Sequence, residues 1–238
     1  MSRLQTGILL DFQATALAIL SGTASGTTPI VGPWVKIDSV DSLDVTFVTG
    51  STTNVTWSVL FSATANGAQP FAPSTTPAYP TGTNQNSSVN IAIGNDIAKY
   101  VQVTATPSAG SQAVSATPTM VYGKPAIIPH TKDTGVVFDC PASATLAGQV
   151  TLEYSANYNP GNRDLGVGTL PKNTVADPAI WFPATDVTDT PYVIPALVAS
   201  TGQTIALRLG RLEFIAMRAR FAPSAGFGRY RGVYNSKA

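Results

Sequence analysis

At 238 residues the chain has room for one large or two small domains, and 44% apolar against 11% charged residues excludes charge-driven disorder. A formal net charge of +1 excludes a global electrostatic grip on nucleic acid or anionic lipid. One cysteine, Cys140, and one histidine, His130, leave neither an intrachain disulfide nor a His/Cys zinc set.

The first apolar stretch runs from Ile8 to Leu10 and from Ala14 to Leu20, with Asp11 and Gln13 between. A central acid disqualifies it as the core of a secretory signal. It also falls short of the roughly 18 uninterrupted apolar residues of a membrane-spanning helix, and no other segment reaches that length, so no membrane partner is expected. Ser21 to Thr28 is Ser/Gly/Thr-rich, a linker composition. Residues 1–33 are therefore expected as an N-terminal arm, with Leu9, Leu10, Phe12 and Leu17 as its protein contacts. The competing expectation is a first strand or short helix covering the first sandwich.

Period-two patterning begins after it. Leu43 to Val48 alternates, and Val55, Trp57, Val59 and Phe61 share one face. Tyr100 to Thr106 alternates again and is followed, after Pro107-Ser-Ala-Gly110, by Ala113 to Tyr122. Further on, Val150, Leu152 and Tyr154 share a face, as do Ile205, Leu207 and Leu209, and then Ile215, Met217, Ala219 and Phe221. Eighteen prolines and 20 glycines punctuate the chain into short elements, which argues against long helices. The class is all-β.

Two internal matches point to duplication. Trp57-Ser-Val-Leu-Phe-Ser-Ala aligns with Val150-Thr-Leu-Glu-Tyr-Ser-Ala at an offset of 93, and Pro107-Ser-Ala-Gly110 aligns with Pro223-Ser-Ala-Gly226 at an offset of 116. The sequence thus predicts two tandem antiparallel β-sandwiches of jelly-roll-like character, over 34–122 and 136–238, with a linker at 123–135. The 23 extra positions of the second copy are assigned to a loop insertion near 157–178. A single elongated barrel is the alternative.

Catalytic chemistry finds little footing. The two glutamates, Glu153 and Glu213, alternate out of phase with the apolar faces and are expected in solvent. His130 lies in the Pro-rich linker near Asp133, and no Gly-x-Ser-x-Gly elbow occurs. Asp38, Asp41 and Asp44, like Asp186 and Asp189, lack the close Asp-x-Asp spacing and the glycine of a calcium loop and read as turn caps. No catalytic, metal or cofactor-binding residue is assigned, and no enzyme activity is expected.

Charge is uneven at the C-terminus. Arg208, Arg211, Arg218, Arg220, Arg229, Arg231 and Lys237 make up seven of the 14 basic residues, with Glu213 the only acid after Asp189. Arg218 and Arg220 share the polar face of one strand, and Arg229-Tyr230-Arg231 interleaves base with aromatic. With no nucleic-acid motif present, this basic face suits an acidic protein surface rather than nucleic acid. Trp57 and Tyr154 fall on apolar faces and are expected in the core. Trp181, in Ala179-Ile-Trp-Phe-Pro183, is the candidate stacking face for a ligand.

The Ser/Thr/Ala-rich halves, the strand Val150 to Ala156, the Gly/Asn loop after it and the segment from Phe214 to Gly226 together resemble virion structural proteins of tailed bacteriophages, in particular β-sandwich decoration or cement proteins of the capsid exterior. The Arg/aromatic ending from Arg218 to Phe221 is part of that likeness. The resemblance implies a non-enzymatic component of the virion, assembled in the host cytoplasm, binding the major capsid protein or other virion proteins and forming a homo-oligomer. It implies contacts through the arm and through Arg218, Arg220, Arg229 and Arg231. A tail, collar or head-fibre protein with a carbohydrate- or receptor-binding sandwich is the rival reading.

Overall fold

The structure is a computed structural model that describes residues 4–14, 16–73, 76–93, 97–127, 133–141, 145–158, 179–185, 190, 192, 194–196, 198, 202–209 and 216–237. Its strands are β1 (Leu4–Ala14), β2 (Leu20–Ser25), β3 (Ile30–Val31), β4 (Val35–Asp38), β5 (Val40–Thr49), β6 (Val55–Ser62), β7 (Asn86–Ala92), β8 (Tyr100–Pro107) and β9 (Ser111–Gly123). They continue as β10 (Ala126–Ile127), β11 (Asp133–Cys140), β12 (Ala147–Ser155), β13 (Phe182–Pro183), β14 (Gln203–Arg208), β15 (Ala216–Ala225) and β16 (Gly228–Lys237). All pairings are antiparallel and fall into two sheets. Sheet I runs β14-β11-β16-β1-β4-β8-β3, with β6 also on β8. Sheet II runs β13-β12-β15-β9-β5-β7, with β10 on β15 and β2 on β9.

The alternation read from the sequence sets which side chains enter the core. On β6, Val55, Trp57, Val59 and Phe61 are buried, and on β12 Val150, Leu152 and Tyr154 are. One apolar cluster between the sheets runs through both halves of the chain. Burying such a face is what makes a half-solvated antiparallel strand stable, at about 25 cal/mol per Å² of apolar surface.

The pairing registers reveal two equivalent units. In β6–β8, Trp57 faces Ala105 and Phe61 faces Val101, while in β12–β15 Val150 faces Phe221 and Tyr154 faces Met217. These are the positions that the offsets of 93 and 116 equate. The correspondence extends to Phe47 facing Ala116 and Phe138 facing Gly232, and to Phe47 facing Ser87 and Phe138 facing Ile205. It also holds for Val35 facing Val101 and Ala126 facing Met217. Each unit crosses between sheets at the same four-residue turn, where Gly110 (φ 66°) and Gly226 (φ 79°) adopt a left-handed backbone that a side chain would strain. Phe61 bridges Phe71 ten positions on, whereas Tyr154 pairs with Phe182 28 positions on. Most of the second unit's extra length therefore falls before β13, and residues 159–178 of the expected insertion lie outside the described residues.

The N-terminal segment departs from the expected arm. Residues 4–14 form a long strand at the middle of sheet I, paired with β16 along ten positions and with β4 through Asp11, Phe12 and Gln13. Leu9, Leu10 and Phe12 are buried there, and Leu17 is half-buried in the connection to β2. The physical reason is Asp11. Ion pairs and hydrogen bonds to Lys36 and Arg229 neutralise the one charge inside the apolar stretch, so the stretch can be buried as a core strand. The segment is the first strand of the competing expectation, but it lies between the units, paired with β4 of the first at three positions and with β16 of the second at ten. In the segment expected as a linker, Ala126–Ile127 form β10, and residues 128–132, with His130, lie outside the described residues.

Candidate functional site

The outward face of sheet II carries a polar ladder that crosses five strands and both units. On β7, Asn90 Nδ2 donates to Asp44 Oδ1 of β5 at 2.7 Å, and Tyr122 of β9 donates its hydroxyl to Asp44 Oδ2 at 3.0 Å. The Arg218 guanidinium of β15 lies over the Tyr122 ring, 5.2 Å from its centroid, and over the Trp181 ring at 4.2 Å. Arg218 Nε donates to Glu153 Oε2 of β12 at 2.8 Å, and Arg220 Nη1 stands 3.2 Å from Glu153 Oε1. Tyr158 tilts against Trp181 with ring centroids 5.5 Å apart. Burial, then the hydrogen bond and negative charge of Asp44, push the Tyr122 hydroxyl above its ordinary pKa. A phenol so placed stays protonated and donates.

Local strand geometry explains the convergence. Successive side chains alternate across the sheet, so Arg218 and Arg220 leave β15 on the side opposite Met217, Ala219 and Phe221. Arg218 is directly across from Glu153, and Arg220 is across from both Thr151 and Tyr122. Two guanidiniums therefore share one carboxylate, one from the facing position and one from the diagonal. Glu153 is not the solvated side chain that its phase suggested. It is only 5% exposed, because both arginines lie on it and its backbone partner is Pro183 of β13.

A second ionic centre lies on sheet I. Arg229 of β16 grips Asp11 with two donors, Nε at 2.7 Å to Oδ1 and Nη2 at 2.6 Å to Oδ2, and Lys36 Nζ of β4 reaches Oδ2 at 2.7 Å. Burial pushes the Asp11 carboxyl up, but the hydrogen bonds and charges of Arg229 and Lys36 outweigh it and hold the group below its usual range. This centre joins β4 of the first unit to β16 of the second through β1.

The expected contact residues thus divide. Arg218, Arg220 and Trp181 meet in one cluster, Arg229 belongs to the Asp11 centre, and Arg231 is exposed on β16 opposite Asp11 and Asp139. Leu9, Leu10 and Phe12 belong to the core. Arg211, Glu213, Asp186 and Asp189 lie outside the described residues. Asp11, Asp44, Tyr122 and Glu153 were missed as functional groups. A lone acid inside an apolar run was the available signal for Asp11; nothing local marked the others, whose partners come from strands far away in sequence. Among the described residues no group of three His, Cys, Asp or Glu side chains is placed to hold a metal, and no helix is long and apolar enough to cross a membrane.

A groove lies on sheet II, within the first unit. It holds about 440 Å³ over β2, β9 and β5 and is lined by small side chains that include Ser21, Thr23, Val48, Ala113 and Ser115.

No protein-family model and no curated protein matches the chain. Among solved structures, PBSX exported protein XepA is similar at 8% identity over 94% of this chain and 86% of that one, with a TM-score of 0.32. A putative secreted protein from Parabacteroides distasonis aligns at 7% identity over 100% and 89%, with a TM-score of 0.22. The STIV MCP aligns at 11% identity over 99% and 97%, with a TM-score of 0.18. None of the three reaches a TM-score of 0.5, and none assigns the chain a role.

Proposed function

We propose that the chain is a non-enzymatic structural component of a bacteriophage particle and, within that class, a decoration protein of the capsid's outer surface. The observation that carries this reading is the use of the buried carboxylates. Asp11 and Glu153 each hold two cations, and both do so across strands that join elements of the fold rather than facing a cleft. Charge is spent on stiffness, which suits a part that must present a fixed surface many times over a symmetric shell. Repetition then lets a modest single contact suffice through effective concentration. The partner in this reading is the major capsid protein or another virion protein, and the place is the virion. Of the basic residues first singled out, Arg231 and the partly exposed Arg220 remain as contacts. The N-terminal segment does not, since its apolar side chains are already used.

Pelleting the purified protein with shells from the same source tests the reading. Saturable binding at a fixed ratio to the shell protein is expected, weakened by Arg231→Glu; a protein left wholly in the supernatant would overturn it. A second reading, a glycan-binding module of a tail, collar or head fibre, is favoured by one observation, the contact of the Trp181 ring with the tilted Tyr158 ring and with the Arg218 guanidinium. A glycan array probed with the native protein and with Trp181→Ala separates the two.

A further inference from the structure

The unit correspondence exposes a missing strand. In the first unit β9 is flanked by β2, with Leu20 facing Ala116 and Gly22 facing Val114. In the second unit the equivalent strand, β16, is flanked by β1, with Leu10 facing Gly232 and Phe12 facing Tyr230. Strand β1 therefore stands to the second unit as β2 stands to the first. Yet it comes from the opposite end of the chain, and the segment that precedes β10 is β9, which the first unit already uses. The second unit is one strand short in its own sequence.

We infer that β1 is a donated strand, that the cleft between β16 and β4 is its acceptor site, and that β1 of a second copy of this chain can fill that site in trans. Three features of the cleft support this. Its floor takes Leu9, Leu10 and Phe12, with Phe12 6.2 Å from Phe221, so it selects an extended segment with apolar side chains at set positions. Its rim carries Lys36 and Arg229, which select a carboxylate at the Asp11 position and fix the register. Finally, the chain leaves β1 at Ala14 and enters β2 of the other sheet at Leu20, so the connection that follows β1 crosses between sheets and makes no ladder that holds β1 beside β16 and β4. Backbone pairing gives such an exchange its affinity, and the side-chain positions give it specificity. Exchanging one element between identical chains is a low-cost route to dimers.

Shortening the connection tests the inference. Deleting Ala16 to Ala18 keeps β1 from reaching its own cleft, and light scattering should then report twice the monomer mass with an unchanged far-UV spectrum. A monomer whose first 14 residues are trimmed by protease while the body stays folded would overturn the inference. Should the shortened chain aggregate, a second experiment decides. A protease site is placed within residues 16–18 of the full chain, the folded protein is nicked, and a fluorescent peptide of residues 4–14 is added. The nicked strand should co-elute with the body and then exchange for the peptide at one per chain, and a peptide carrying Asp11→Asn should leave at least tenfold faster. Loss of the nicked strand without uptake of peptide, or unfolding of the nicked body, would refute the exchange.

Discussion

The two units share strand order and register, yet they fill their cores with inverted sizes. At the centre of the first, Trp57 faces Ala105; at the same place in the second, Val150 faces Phe221. The first unit gathers Trp57, Phe47 and Tyr79, with Phe47 4.8 Å from the Trp57 ring and 5.5 Å from that of Tyr79. The second stacks Phe138, Tyr230, Phe221 and Phe12, with Phe221 4.8 Å from Tyr230 and Tyr230 5.8 Å from Phe138. Gly232 allows this, since a Cβ there would meet the Phe138 ring at 2.7 Å; Ala116 holds the equivalent place opposite Phe47. The backbone pairing is thus compatible with two different packings, provided each fills its volume.

The largest effect is expected where the second unit depends on the donated strand. Phe12→Ala removes a buried ring from the aromatic stack and should cost about 3–5 kcal/mol, read from the shift of a urea unfolding midpoint. The matching position in the first unit is Gly22, where nothing of that size is present to lose. A cost under about 1 kcal/mol would mean that β1 can be lost without harm to the second core.

Size inversion gives the next test. Trp57→Val opens a cavity at a cost of about 3 kcal/mol, and Ala105→Phe overfills the same layer at about 1–3 kcal/mol. Together they copy the Val150 and Phe221 pair, so the double variant should be more stable than the sum of the singles by at least about 1 kcal/mol. Strict additivity in the double-mutant cycle would show that the two packings do not interchange.

These layers also show what could be read from the sequence. The strands at Val55 to Phe61 and Val150 to Tyr154 were legible because alternation is a local property, and the duplication surfaced only where two short runs kept their residue types. Elsewhere the equivalent residues are pairs such as Gly22 and Phe12 or Ala105 and Phe221, which no letter-by-letter comparison joins. The place of β1 was hidden for a different reason. Its partner, β16, lies at the other end of the chain, and the salt bridges that make Asp11 tolerable in the core come from Lys36 and Arg229, 25 and 218 positions away. The Glu153 cluster was half legible. The phase that put Arg218 and Arg220 on one face was correct, but the burial of Glu153 depends on which strands flank β15.

Charge deletions should have intermediate effects and separate the two ionic centres. Glu153→Gln leaves Arg218 and Arg220 against a neutral amide and should cost about 1–3 kcal/mol, with the Trp181 fluorescence altered as Arg218 moves. Asp11→Asn should cost a similar amount at pH 7. Its pH dependence has a definite sign. The Asp11 pKa is lower in the folded chain than its ordinary value, so its stabilisation is complete above that value and is lost as pH falls through the lowered one. The gap between native and Asp11→Asn stability should therefore begin to narrow below about pH 4 and close as the pH falls past the lowered value. A gap that does not narrow at all as the pH falls below about 4 would assign the cost to packing rather than charge.

The smallest effect is expected on the outer faces, where the units differ most in chemistry. The groove residues Ser21, Thr23, Val48, Ala113 and Ser115 stand at the places that Asp11, Gln13, Asp139, Arg229 and Arg231 take in the second unit. Val48 faces Ser115 as Asp139 faces Arg231, so Val48→Asp with Ser115→Arg transplants one charged pair onto the other unit. Neither position contributes to the core, and the double variant should lie within about 0.5 kcal/mol of the native chain. The cross-strand coupling of the new pair should be about 0.2–1 kcal/mol and fall with added salt. A larger loss would mean that the small residues of the groove are needed for folding. A neutral result would leave them free to differ for another reason, namely contact with a partner that a bulky charged pair would push away, and shell binding by this variant would then show whether the first unit's groove or the second unit's basic face makes that contact.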